Sequence, residues 1–359
     1  MINASDVEAD SEAYQGDNLL TDDIQLKQLL TLMVSSTVCG LVSIAGVVTN
    51  AMCIAVFLKQ GGKESVNIPL LAMAVSHLIC DLLMLWCCLW NIVVYLQSQP
   101  LVIEPVGFNA MTGYLPRIIF FRVTSWLMAF AALQRCVCVV LPLKVRLIFT
   151  PSKTAVMTSC VIITAFSAHL TIYVSRELRV ISNPAINMTQ LVMLVIPELL
   201  DLAYKVNQVI FIFLPMVNFI FILTCTLVLL IKLKSSLRWR QGKRATTAIN
   251  KPTNGDSKSQ TITETLGQAK TLKNGKESRM TKMIATTTAI FVACTLPSNA
   301  AIVYGTIVEF ETATTDYLHA LAFLFETLNS SVTLMVYYKM SSNFRSNFLI
   351  LMQIFSIDI

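Results

Sequence analysis

Long apolar stretches alternate along this chain with short polar ones, and no charged residue occurs between Lys27 and Lys59. Stretches of this kind place helices near residues 28–58, 68–95, 107–140, 154–174, 205–231, 280–305 and 317–338. About 20 apolar residues suffice to cross a bilayer as a helix that satisfies its own backbone hydrogen bonds. The pattern therefore predicts an all-α membrane protein, a seven-transmembrane helix bundle.

An odd number of crossings puts the termini on opposite sides, and the basic residues orient them. With the N-terminus outside, the inner segments hold 20 of the 27 Lys and Arg residues and the outer segments only Lys27, Arg176 and Arg179. The acidic tail 1–27 has no apolar stretch of signal-peptide length, so the first helix must target itself. The sequons at Asn3 and Asn187 then fall outside, where glycans are added. Composition agrees with a membrane protein: the chain is 55% hydrophobic and 13% charged, with a mean hydropathy of +0.66, whereas soluble domains carry about 25% charged residues. A soluble enzyme is excluded.

The net charge of +6 comes from the long inner loop 232–279 and not from a nucleic-acid surface. Its polar middle cannot bury a core, while its ends, IKLKSSLRWR and ESRMTKMI, should continue the fifth and sixth helices. That basic rim fits the anionic head groups of the lipid bilayer and an acidic protein face equally well. All ten cysteines fall in or at the ends of the spans; they read as small packing residues, with no metal-ligand spacing.

Several motifs resemble those of the rhodopsin-like G-protein-coupled receptors. Gly46-Val-Val-Thr-Asn50 supplies that family's helix-one asparagine, and Gln134-Arg135-Cys136 occupies its acid-Arg-Tyr position, followed by Pro142-Leu143. Phe-Leu-Pro215 resembles the fifth-helix proline motif, and Phe291-Val-Ala-Cys294-Thr-Leu-Pro297 the sixth-helix switch. Thr333-Leu-Met-Val-Tyr337 and the trailing Phe344 resemble the seventh-helix element and its amphipathic helix, which places 341–359 as helix and short tail after the receptor domain 28–340. Within that family, SVNIPLLAMAVSHL, VTSWLMAFAALQRCVCVVLPLKV and LNSSVTLMVYYKMSSNFR look most like molluscan chemosensory receptors and related invertebrate peptide receptors.

Departures matter too. The family's second-helix aspartate aligns with His77, although Asp81 lies one turn away on nearly the same face. Its last-helix Asn-Pro is Thr333-Leu334 here, and the sixth-helix Trp is Thr295. No cysteine is placed to bridge the third helix to the second outer loop, so that loop should be looser than is usual in the family.

The resemblance implies a plasma-membrane receptor with no cofactor and no catalysis. It would couple an extracellular small-molecule or peptide ligand to a heterotrimeric G protein, with arrestin as a further partner. Arg135 would face Glu277 across the inner ends of helices three and six at rest and meet the G protein when they part. Asn50, His77, Asp81, Phe291, Pro297 and Tyr337 would form the activation switch. Because Gln134 replaces the family's acid, one restraint on the resting state is missing, and basal signalling should be measurable.

Arg117 and Arg122 lie deeper, about 27 and 20 Å from Arg135 at 1.5 Å per residue. An arginine at such depth costs at least about 2.5–3.5 kcal/mol on insertion scales and needs a partner. Asp81 and Glu326 are the candidates within the bilayer, with Glu198, Asp201, Glu309 and Glu311 around the outer mouth. Two readings stand side by side. Either Arg122 pairs with Glu326 or Asp81 in a closed structural network, or Arg117, with Phe121, Arg122 and Glu326 beside it, is available to an anionic ligand group. His77 and His169 read as satisfied interior histidines. A transporter or channel built on the same charges, or a degenerate receptor acting as a scaffold, are the rival functions. A retinal protein is excluded because residues 317–338 contain no lysine.

Overall fold

A computed structural model describes residues 33–61, 64–97, 101–141, 144–183, 188–249, 260–307 and 312–357. Among them, seven helices are long and apolar enough to cross a membrane. We number the helices α1 (Cys39–Gln60), α2 (Asn67–Leu96), α3 (Leu115–Val140), α4 (Pro151–Val174), α5 (Leu214–Ile249), α6 (Gln260–Ile307) and α7 (Thr312–Met340). An eighth, α8 (Ser342–Ile357), follows the last span. Short helical segments carry α3 back to Pro105 and α5 back to Pro197. The expected spans are thus observed to within a few residues, except that the fifth begins at Pro197; the start of the first, 28–32, lies outside the described residues. The basic ends of the long loop do continue α5 and α6, whereas its middle, 250–259, lies outside the described residues, as do the tail 1–27, Asn187 and Pro142-Leu143.

Apolar side chains cover the outside of the helices and polar ones share the interior with an apolar core, an inversion of a soluble bundle's surface. In α1, Ser43, Gly46 and Asn50 are buried while Leu41, Ile44 and Val48 are exposed. A lipid surround explains the inversion: apolar side chains gain nothing by leaving lipid, so close backbone approach and hydrogen bonds hold the helices together. Gly46 is such a point, because a Cβ there would collide with the Asp81 carboxylate. The apolar core runs through α1 to α7 and ends on α8, where Phe57 packs edge to face on Tyr337 and Phe344 at centroid distances of 5.4 and 5.5 Å and these two rings tilt against each other at 5.6 Å.

Local sequence fixes the ends. Thr150 caps α4, accepting from the Lys153 amide at 3.4 Å, with Pro151 in the first turn. Gly61 ends α1 at φ 71°, a left-handed conformation that glycine adopts without cost.

The segment after α4 corrects the expectation of a loose loop. It is an antiparallel hairpin of β1 (Arg176–Asn183) and β2 (Met188–Val195), paired from Arg176–Val195 to Asn183–Met188. The Leu191 amide donates to Val102 O at 2.8 Å, the Glu104 amide to Leu191 O at 3.0 Å, and Gln190 Nε2 to Leu101 O at 2.9 Å. Backbone hydrogen bonds therefore join the hairpin to the approach to α3, the task the missing bridge would have had. All ten cysteines are free thiols.

Candidate functional site

Three polar clusters lie along the bundle axis, between the end that carries the hairpin and the end that carries Arg135. The first is built on α3 and α7. Arg117 Nη1 meets Glu326 Oε2 at 3.0 Å, and its Nη2 donates to Phe323 O at 3.4 Å and Thr327 Oγ1 at 3.5 Å. The guanidinium also lies 4.5 Å from the centre of the Phe323 ring. The other carboxylate oxygen of Glu326 accepts from Ser298 Oγ on α6 at 2.7 Å. Arg117 and Glu326 are only 2% and 5% exposed, so each depends on the other: removing one partner of such a pair costs about 3–5 kcal/mol. One ion pair and one hydroxyl thus fix α3, α6 and α7 relative to one another.

Arg122 is a correction to the paired network expected from sequence. Arg117, not Arg122, takes Glu326, and among the described residues Arg122 forms no ion pair with Glu326, Asp81, Glu198 or Asp201. Asp201 instead meets Lys205 at 2.8 Å on an exposed turn, and Glu309 and Glu311 lie outside the described residues. Arg122 is buried, with its guanidinium 5.9 Å from the Phe121 ring centre. Phe121 itself stacks on Phe291 of α6 at 6.2 Å, so this residue packs α3 against the sixth-helix motif. Thr295, at the position of the expected Trp, returns its hydroxyl to Phe291 O at 2.8 Å, two residues before Pro297. Pro297 lies inside α6, where it can donate no ladder hydrogen bond.

The second cluster joins α1, α2 and α7. Asp81 Oδ2 accepts from Asn50 Nδ2 at 3.0 Å, and Asp81 Oδ1 from Ser330 Oγ at 2.7 Å. Asn50 Nδ2 also donates to Gly46 O at 2.9 Å. The carboxylate one turn from the family position therefore meets the helix-one asparagine. His77, at that position, is buried and neither ring nitrogen has a described hydrogen-bond partner, against the expectation of a satisfied histidine. His169 meets the expectation by half: Nδ1 lies 2.7 Å from Ala165 O, while Nε2 has no described partner.

The third cluster closes the other end. Arg135, buried on α3, donates from Nη2 to Met280 Sδ of α6 at 2.9 Å. Glu277 precedes Met280 by about one turn of α6, but its side chain lies outside the described residues. Gln134 is fully buried and donates from Nε2 to Ser65 Oγ in the α1–α2 loop at 3.4 Å. Tyr337 lies in the aromatic contact with α1 and α8 already described.

Ser298 and Met280 were not singled out from sequence. Each lies one residue or one turn from a motif position, Pro297 or Glu277, and helical phase alone could have brought them forward.

The family model described as the 7 transmembrane receptor (rhodopsin family) matches residues 49–337. No curated protein matches the chain.

Proposed function

Because the chain belongs to the rhodopsin family of seven-transmembrane receptors, a family of non-enzymatic multi-pass membrane receptors, we propose that it is a chemosensory receptor of the plasma membrane, signalling through a heterotrimeric G protein. The hairpin end faces the outside in this reading, and the Arg135 end meets the G protein. Its ligand is a small amino-acid-like or short-peptide molecule bearing an anionic group.

One observation carries the reading: the buried Arg117–Glu326 pair, tied to α6 through Ser298. A ligand carboxylate that engages Arg117 bidentately competes with Glu326 for the guanidinium. Glu326 then loses its counter-ion, and the hold of α7 on α3 and, through Ser298, on α6 weakens together. The inner end of α6 is held by the Arg135–Met280 contact; separation of α3 and α6 there would present Arg135 to the G protein. The ligand works only through its preference for the open state, and a ratio moved from 1:99 to 99:1 requires about a 10⁴-fold preference.

The test is expression in cells carrying a promiscuous Gα, with the ligand-free signal measured first and acidic amino acids and short peptides screened next. Arg117→Ala should abolish responses to acidic ligands while surface delivery persists. A retained response would remove Arg117 from the ligand site. Ligand-evoked current or uptake without added G protein would favour a transporter instead.

A further inference from the structure

Arg122 and His169 face a cavity that the Arg117 cluster does not use. It has a volume of about 330 Å³ and lies between α3 (Arg122, Trp126), α4 (Val161, Ala165, Ala168, His169) and α5 with the segment before it (Ile210, Leu214, Pro215). Cys160 and Thr164 of α4 line it as well and are exposed on the outer surface of the bundle. The cavity therefore opens sideways, toward the lipid.

Two of its polar groups are more than nine-tenths buried: Arg122 is 8% and His169 4% exposed. Arg122 has no ion-pair partner among the described residues, and its Nε no hydrogen-bond partner. On His169, Nδ1 is committed to the Ala165 carbonyl, so Nδ1 carries the hydrogen and Nε2 offers a lone pair. The wall thus presents a cation and a hydrogen-bond acceptor inside a mostly apolar enclosure.

Depth selects the occupant. Arg122 lies 13 residues, about 20 Å, along α3 from Arg135 near the far end of the helix, which puts it well inside a hydrocarbon layer about 30 Å thick. A phosphodiester carries its charge permanently and is held at the interface by the cost of desolvation. A carboxylic acid can enter the hydrocarbon neutral. At this wall its O–H can donate to His169 Nε2 and its second oxygen can accept from Arg122. A cavity at the small end of the range for ligand sites takes the head and first part of a chain, and the open side between α4 and α5 lets the remainder lie in lipid.

We propose that this cavity binds a long-chain carboxylic acid delivered from within the bilayer, at a site separate from the one entered from the hairpin end. Purified receptor in nanodiscs of zwitterionic phosphatidylcholine, without G protein, is titrated with oleic acid; binding is read by native mass spectrometry and by the shift in unfolding temperature. One oleic acid per receptor should bind and raise the unfolding temperature, with methyl oleate at least tenfold weaker. Arg122→Met and Ala168→Phe, the second of which fills the cavity and keeps the arginine, should each weaken oleic acid at least tenfold while the ligand-free receptor still unfolds cooperatively. Equal binding of methyl oleate, or undiminished binding by both variants, would overturn the proposal. So would displacement of oleic acid by an equimolar anionic phospholipid, which assigns the wall to a head group, or equal binding of butyrate, which assigns it to a water-soluble acid. None of these outcomes depends on G-protein coupling, so this site and the proposed receptor function fail separately.

Discussion

Arg117 and Arg122 sit five residues apart on one helix, and opposite stability effects are expected of them. Arg117→Met leaves Glu326 buried without its cation, and Glu326→Gln does the reverse; each should cost about 3–5 kcal/mol. The double variant Arg117→Met/Glu326→Leu should recover most of the loss, because no uncompensated charge remains. Thermal unfolding of the purified receptor measures this, and strictly additive losses would show that the pair is not coupled. Arg122→Met removes a charge with no described ion-pair partner, so it should be neutral or stabilising. At Gly46, where a methyl group would meet the Asp81 carboxylate, substitution by Ala should cost roughly 1–3 kcal/mol as overpacking. The charged and amide members of these clusters were legible in the sequence, since such groups inside an apolar run need partners. Their pairing was not: Arg117 and Arg122 differ by 140° of helical phase, and which of them faces α7 depends on how α3 is rotated in the bundle.

Among the elements, the seven spans were legible because lipid admits almost no other backbone arrangement. The hairpin was not, because the hydrogen bonds that tether it to the distant residues Leu101, Val102 and Glu104 are announced by no local pattern. That tether yields its own prediction. Leu191→Pro removes the amide that donates to Val102 O, so amide exchange at Glu104 and along β2 should accelerate at least tenfold while the spans stay protected. Unchanged exchange would mean that the hairpin is held in place by something other than this tether. The contact between α6 and the end of α3 that carries Arg135 was legible as a location, but not that the Met280 sulfur takes a hydrogen bond there. Thioethers are weak acceptors, and nothing in a sequence marks one as the receiver of an arginine's hydrogen bond.

For the whole molecule, the clusters tie α1, α2, α3, α6 and α7 together, and in the proposed function they are the restraints that an activating ligand releases. The Arg117–Glu326–Ser298 set holds one end of α3, α6 and α7, Asn50–Asp81–Ser330 ties α1, α2 and α7, and Arg135–Met280 closes the other end. At the position where the family carries an acid, Gln134 spends its amide on Ser65 and offers Arg135 no charge. Gln134→Glu should therefore lower ligand-free signalling at equal surface expression; unchanged or higher signalling would contradict the missing-restraint account. The most direct test of the central claim is GDP–GTP exchange on a heterotrimeric G protein in membranes carrying the receptor, compared with Arg135→Ala at matched surface density. The intact receptor should accelerate exchange above receptor-free membranes, and the variant should lose at least nine-tenths of that acceleration. Exchange no faster than in receptor-free membranes at any ligand tried, or equal in receptor and variant, would contradict it.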